Sequence, residues 1–232
     1  MISFSPFQNI SGGFIGRDLS LLSEKGYSTE NFIRLKQIHS DRILWLKDQK
    51  EISKVHLAKG DAIISTLENI PIAIRAADCV PILLAHPSGV VAAIHAGWRG
   101  TRSKIVQKVL SEILSKLKIS MKEIKIAIGP SICGNCYEVG EEVATDFKND
   151  DRLCVMSDER KFFLNLKQAN KLQAVECGIL SDQIEVRKEC TLCDEKNFYS
   201  YRGALKKGGN NEERNYGWIV LRNSSHHNFR NS

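Results

Sequence analysis

The chain has 232 residues, 42% hydrophobic and 26% charged, with a formal net charge of +6. That length and balance allow one large buried core, and they exclude a disordered, low-complexity or tandem-repeat chain. The Lys and Arg residues are scattered rather than gathered into a stripe with exposed aromatics, so small anionic substrates are expected and nucleic acid is not.

In chain order, residues 1–10 carry neither a basic n-region nor an apolar run of ~7–15 residues, so no export signal is expected. Strand-length apolar runs, mostly closed by Gly, Pro or Asp, follow at residues 42–46, 62–65, 71–75, 81–85, 90–95 and 124–128. These six are expected to carry the sheet. The longest fully apolar stretches, residues 80–85 and 90–94, fall far short of the roughly 20 that cross a bilayer, so no membrane partner is expected.

Residues 101–117 place Ile105, Val106, Val109, Leu110, Ile113, Leu114 and Leu117 at helical spacing, which predicts a helix with Thr101 as N-cap. A short helix is predicted to open at Gly140 and run through Val143 and Phe147. A longer one spans residues 165–177 and is closed by Gly178. Residues 206–214, rich in Lys, Gly, Asn and Glu, read as a mobile surface loop, and residues 223–232 as a frayed tail. No composition shift marks a linker, so residues 1–232 are expected to form a single domain. An odd number of cysteines without an export signal favours reduced thiols, metal ligation and a cytoplasmic location over a disulfide framework.

Reactive side chains gather beside strand ends in three segments. These are Lys36-Gln37-Ile38-His39, then Ala77-Asp78-Cys79-Val80-Pro81, and the run from Ala93 to Gly100 that holds His95, Gly97, Trp98 and Arg99. Each offers one soft or borderline ligand. Two imidazoles and a thiolate suit Zn²⁺, and three protein ligands leave a fourth position for water, the arrangement of a catalytic site. The wide gaps between residues 39, 79 and 95 match no compact metal motif, so only the fold can bring them together. Packed or hydrogen-bonded His and Cys at strand ends are the alternative.

Six strings occur in a fixed order: Lys36-Gln37-Ile38-His39; Gly60-Asp61-Ala62; Ala77-Asp78-Cys79-Val80-Pro81; His95-Ala96-Gly97-Trp98-Arg99-Gly100; Ile128-Gly129-Pro130-Ser131-Ile132 followed by Cys136-Tyr137-Glu138-Val139-Gly140; and Phe198-Tyr199-Ser200-Tyr201-Arg202. Over roughly residues 11–222 the chain thereby resembles the YfiH/laccase-domain family, also called the polyphenol oxidase or peptidoglycan editing factor family. The resemblance implies an α+β fold, a four-layer α/β/β/α sandwich with mixed sheets, and a zinc site of His39, Cys79 and His95. It also implies purine nucleoside phosphorolysis (adenosine, inosine, guanosine, methylthioadenosine) with adenosine deamination as a second activity, so nucleoside and phosphate are the expected partners.

For deamination, Asp78 is the candidate proton shuttle, against the alternatives of capping a turn or orienting a ligand imidazole. For phosphorolysis, the turn from Gly97 to Gly100 leads into a helix N-terminus that favours phosphate. Arg99 is its candidate clamp, against a solvated surface pair with Arg102, and Trp98 is a candidate purine platform, against ordinary packing. The pairs Cys133/Cys136 and Cys190/Cys193 have the form of a structural Cys₄ site. The stretch between them exceeds the usual ribbon loop of ~15–20 residues and the family strings explain only Cys136 and Cys190, so they are discounted, with a redox or second-metal role left open.

The chain departs from the family where Ser40 follows His39, where Gly203 replaces a common Arg, and around Gly12-Gly13 and residues 207–210. Three other readings compete. Cys79 could be a nucleophile with His95 as its base in an amide hydrolase acting on peptidoglycan precursors. A copper (Cu²⁺) polyphenol oxidase would need more than His39, His56, His86, His95, His226 and His227 supply without a His-x-His run. A non-enzymatic zinc-stabilised binding protein is the last.

Overall fold

A computed structural model describes residues 1–209 and 212–223. In chain order its strands are β1 (Ile2–Phe7), β2 (Ile10–Ile15), β3 (Ile43–Leu46), β4 (Ala62–Ser65), β5 (Ile72–Ala76), β6 (Val80–His86), β7 (Val90–Ala96), β8 (Lys125–Ile128), β9 (Glu138–Val139), β10 (Cys154–Met156), β11 (Phe162–Leu164), β12 (Ile184–Val186) and β13 (Asn215–Leu221). The α-helices are α1 (Ser20–Ser23), α2 (Ile52–Val55), α3 (Trp98–Arg102), α4 (Ile105–Lys116), α5 (Glu141–Ala144), α6 (Leu166–Glu176) and α7 (Tyr201–Lys206).

The strands form a six-stranded mixed sheet in the order β12-β8-β6-β7-β4-β3, a four-stranded sheet β1-β2-β13-β5 and a small sheet β10-β11-β9. The six apolar runs are all strands, but they do not make one sheet: the run around residues 71–75 is β5, which pairs with β13. Sheets buried on both faces give near-continuous apolar strands, so the runs carry no information about which sheet each joins.

Strand alternation builds the layers. On β6 and β7, Ile82, Leu84, Ala92 and Ile94 face a cluster with Val106, Val109, Leu110 and Ile113 of α4 and Leu166 and Ala169 of α6. Leu83, Ala85, Val91 and Ala93 face the other way, against Phe14, Ile72, Ile74, Ile219 and Leu221 of the four-stranded sheet. The outer face of that sheet, with Trp218 and Val220, is covered by Leu22 of α1 and by Phe32. The order is therefore helix, sheet, sheet, helix: the α+β sandwich.

The helix predicted over residues 101–117 is two helices. Lys104 adopts a left-handed conformation (φ 60°), so α3 ends before α4 begins and Thr101 lies inside α3 rather than capping α4. The cause is tertiary. Gln173 of α6 donates to the Thr101 carbonyl (2.7 Å), which also accepts from the Lys104 amide (3.0 Å), and Asn170 donates to the Thr101 hydroxyl (2.9 Å), so α6 binds the chain where the helix breaks.

The α6 prediction holds, with the Asn165 side chain accepting from the Gln168 amide and Gly178 at φ 94° just past the end. Helix α5 opens after Gly140 as expected but stops at Ala144. Of the expected 206–214 loop, Lys206 closes α7 and residues 210–211 lie outside the described part. So does the expected tail, apart from Asn223. Among the described residues no helix is long and apolar enough to cross a membrane.

Candidate metal centre and its cleft

Strand register explains how distant residues meet. Cys79 directly precedes β6, and His95 shares the face of β7 that carries Val91 and Ala93 toward the space between the sheets. Pro81 pairs with His95, which brings Cys79 opposite Gly97 at the strand ends. The approach is close: a Cβ on Gly97 would lie 3.0 Å from the Cys79 sulfur and 3.4 Å from the His39 ring. His39 comes from the loop before β3, in a left-handed conformation (φ 56°). Its ring meets the His95 ring edge-on, with centroids 5.0 Å apart. Ligand atoms of His39, Cys79 and His95 all lie within 4.8 Å of one another.

Asp61, at the start of β4 and fully buried, organises the group. Its carboxylate accepts from the amides of Ile38 (3.3 Å), His39 (3.0 Å) and Ser40 (2.6 Å) and from the Ser40 hydroxyl (2.7 Å). It also bonds His95 Nδ1 at 2.9 Å. That bond leaves His95 Nε2 for Cys79 or a metal, the carboxylate–histidine arrangement that orients metal-ligating imidazoles. Sequence reasoning gave Asp61 no role. Its signal was a carboxylate abutting the wholly buried strand Ala62–Ser65.

Charges reinforce the geometry. Burial raises the Asp61 pKa, but hydrogen bonds from His95 and Ser40 outweigh it and bring the carboxyl down to about 2. Burial also opposes ionisation of Cys79, yet the adjacent His95 and His39 bring its thiol down to about 6. His95 is held up at about 9 against its own burial by the Cys79 thiolate and Asp61. Without a metal the centre holds a thiolate–imidazolium pair beside a carboxylate; a cation replaces the imidazolium proton. Two nitrogen donors and one thiolate with a fixed backing carboxylate fit a divalent borderline ion.

The centre lies in a cleft of about 890 Å³ whose walls include Gln37, Arg75, Trp98, Arg99, Tyr137 and Arg202. Helix α3 begins at Trp98, directly after Gly97, so the N-terminus expected at Thr101 is three residues earlier. The Arg99 guanidinium stacks on Trp98 at 4.3 Å, with Arg102 5.3 Å from the same ring. Arg102 also pairs with Asp146. Arg99 is exposed and donates no hydrogen bond among the described residues, whereas Arg202 is tied to the Glu138 carbonyl and Arg75 to the Glu212 carbonyl. Burial and the Cys79 charge raise the Tyr137 hydroxyl to about 12, keeping it a hydrogen-bond donor.

Asp78 sits beside the centre in a left-handed conformation (φ 82°) with both oxygens engaged, by the Thr191 hydroxyl and the Arg202 amide, each at 2.6 Å. These bonds hold the carboxylate in place, and through it the turn that presents Cys79. The cysteine pairs 133/136 and 190/193, discounted on spacing, also meet, with all four sulfurs within 4.8 Å. The spacing argument fails because the separating chain is folded structure rather than a ribbon loop.

The profile of the family described as multi-copper polyphenol oxidoreductase laccase matches residues 17–221. The chain is 31% identical over 195 residues to an adenosine deaminase from an unknown prokaryotic organism (79% of this chain, 74% of the relative). It is 35% identical over 198 residues to a purine nucleoside phosphorylase of Synechocystis sp. (73% and 74%). The crystal structure of YlmD from Geobacillus stearothermophilus superposes with a TM-score of 0.81 at 25% identity, covering 95% of this chain and 94% of that one.

Proposed function

This chain belongs to the multi-copper polyphenol oxidoreductase laccase family, and on that premise we propose that it is a zinc-dependent purine nucleoside phosphorylase with adenosine deamination as a second activity. The observation that carries the reading is the convergence of His39, Cys79 and His95 within 4.8 Å on the wall of a cleft that also presents Arg99, whose guanidinium has no hydrogen-bond acceptor among the described residues. A bound divalent ion would supply Lewis acidity at that wall.

In phosphorolysis an oxygen of inorganic phosphate forms a bond to ribose C1′ as the C1′–N9 bond breaks, and the purine leaves with that electron pair and takes up a proton. The chain's own residues account for binding and orientation. Arg99 has the free fork that clamps phosphate in two parallel hydrogen bonds. Tyr137, protonated at any physiological pH, donates to an acceptor nitrogen of the departing base. Trp98, already bearing two guanidiniums, is better placed to rigidify the Arg99 side chain than to stack on a purine. Asp61 holds the His39 loop and the His95 ring in register, and Asp78 holds the Cys79 turn.

The proposed substrates are 6-oxo and 6-amino purine nucleosides: inosine, guanosine, adenosine and methylthioadenosine. Zinc-loaded protein given inosine and phosphate should release hypoxanthine and ribose 1-phosphate in equal amounts, and adenosine without phosphate should yield inosine and ammonia. Base release that consumes no phosphate would overturn phosphorolysis. Activity restored to metal-stripped protein by Cu²⁺ but not Zn²⁺ would overturn the metal assignment.

A further inference from the structure

The loop after β8 and the stretch between β12 and α7 lie side by side through a parallel bridge from Ser131 to Cys190, and the Thr191 amide donates to the Ser131 carbonyl at 3.2 Å. Each stretch carries one Cys-x-x-Cys pair folded into a single turn. The Cys136 and Tyr137 amides donate to the Cys133 carbonyl (both 3.0 Å), and the Asp194 amide to the Cys190 carbonyl (2.9 Å). The turns direct all four thiols to one point. Their sulfurs lie within 4.8 Å of one another, with Cys136 and Cys193 3.4 Å apart, and all four are free thiols.

Four thiolates around zinc at 2.3 Å stand ~3.8 Å from each other, so this cluster needs no backbone movement to close on an ion. Two further contacts surround the cluster. The Cys190 sulfur accepts from the backbone amide of Cys133 (3.2 Å). Buried Lys167 donates to the carbonyls of Arg187 (2.8 Å) and Glu189 (2.6 Å), placing a positive charge against the chain just before Cys190. A tetrathiolate zinc centre carries two net negative charges, of which that ammonium offsets one.

We propose that Cys133, Cys136, Cys190 and Cys193 form a second, structural Zn²⁺ site that staples these two stretches together. Four protein ligands complete the tetrahedron and leave no position for substrate, and each thiol that enters protonated gives its proton to solvent with no change of oxidation state. The staple bears on the cleft. Thr191, next to Cys190, holds the Asp78 carboxylate, and the Ile132 amide, next to Cys133, donates to the Asp78 carbonyl (3.1 Å). The site therefore braces the turn that carries Cys79, without depending on what reaction the cleft performs.

The test counts metal in the whole chain, purified with reductant, loaded with Zn²⁺ and desalted. Wild type should hold two zinc ions per chain, and Cys79→Ser and Cys193→Ser one each. Loaded with Co²⁺ instead, Cys79→Ser should show the stronger sulfur-to-cobalt charge-transfer absorption, because its remaining site has four thiolates. A wild type with one zinc and a Cys79→Ser protein with none would overturn the proposal, as would recovery of these cysteines as two disulfides from zinc-loaded protein. Both counts remain readable if Cys193→Ser fails to fold. One zinc in wild type and one in Cys79→Ser would sink the triad as a zinc site while supporting this one.

Discussion

Asp61 carries the side-chain order of the cleft, since one carboxylate satisfies three consecutive amides, a hydroxyl and an imidazole. Asp61→Asn keeps the shape but sets an amide donor against groups that are themselves donors. Zinc affinity, measured by competition with a chromogenic chelator, should fall about 10- to 100-fold. An unchanged affinity would remove Asp61 from the metal's support. The charge pair beside it makes a second prediction. In metal-free protein the Cys79 thiolate, brought down to about 6, should be alkylated by iodoacetamide well below the pH at which an ordinary thiol reacts, and zinc should protect it. Peptide mapping by mass spectrometry reads this site alone. The signs of the linkage oppose each other. The raised His95 contributes stability that is lost as pH rises through about 9, and the depressed Cys79 contributes stability that is lost as pH falls through about 6. The metal-free centre is thus most favourable to folding between those values.

At the scale of elements, the glycines report close approach. Gly129, just past β8, faces the buried ring of Phe14 on β2, and a Cβ there would meet ring carbons at 2.4 Å. Gly129→Ala should cost about 1–3 kcal/mol by overpacking, read as a lower urea midpoint with an unchanged slope. A midpoint equal to wild type would show that the two sheets can slide apart there. The same closeness explains what sequence reading could not see. Gly12 and Gly13, which have no apolar side chain to signal a strand, lie inside β2 and must be glycine there, because a Cβ at either would strike the carbonyl of Trp218 (2.5 Å) or Ile2 (2.3 Å). The β1–β2 pair was therefore missed, while the runs that became β3 to β8 were legible from hydrophobicity alone. The break at Lys104 was illegible because its cause, Gln173 on α6, is remote in sequence. The triad was legible only as three reactive segments, because strand register, not spacing, brings Cys79 opposite Gly97.

For the molecule as a whole, the late strand β13 is the piece that joins the rest. It lies between β2 and β5, so the four-stranded sheet has no continuous ladder until residues near 221 are in place. It also feeds two cores at once, with Ile219 and Leu221 between the sheets and Trp218 and Val220 beneath α1 and Phe32. Each of these four side chains is buried to within 4% of complete. At roughly 1.5–3 kcal/mol apiece their burial amounts to ~6–12 kcal/mol, comparable to the ~5–15 kcal/mol by which whole domains are stable. A chain ending at Lys206 keeps every residue of the triad and all four cluster cysteines, yet it should not fold: it should partition to the insoluble fraction, or show no cooperative urea transition by circular dichroism. A soluble, cooperatively unfolding product would mean that the six-stranded sheet and its helices stand without their partner layer. The centre would then rest on one sheet alone, which the packing of Phe14, Ile72 and Ile219 against Leu83, Val91 and Ala93 argues against.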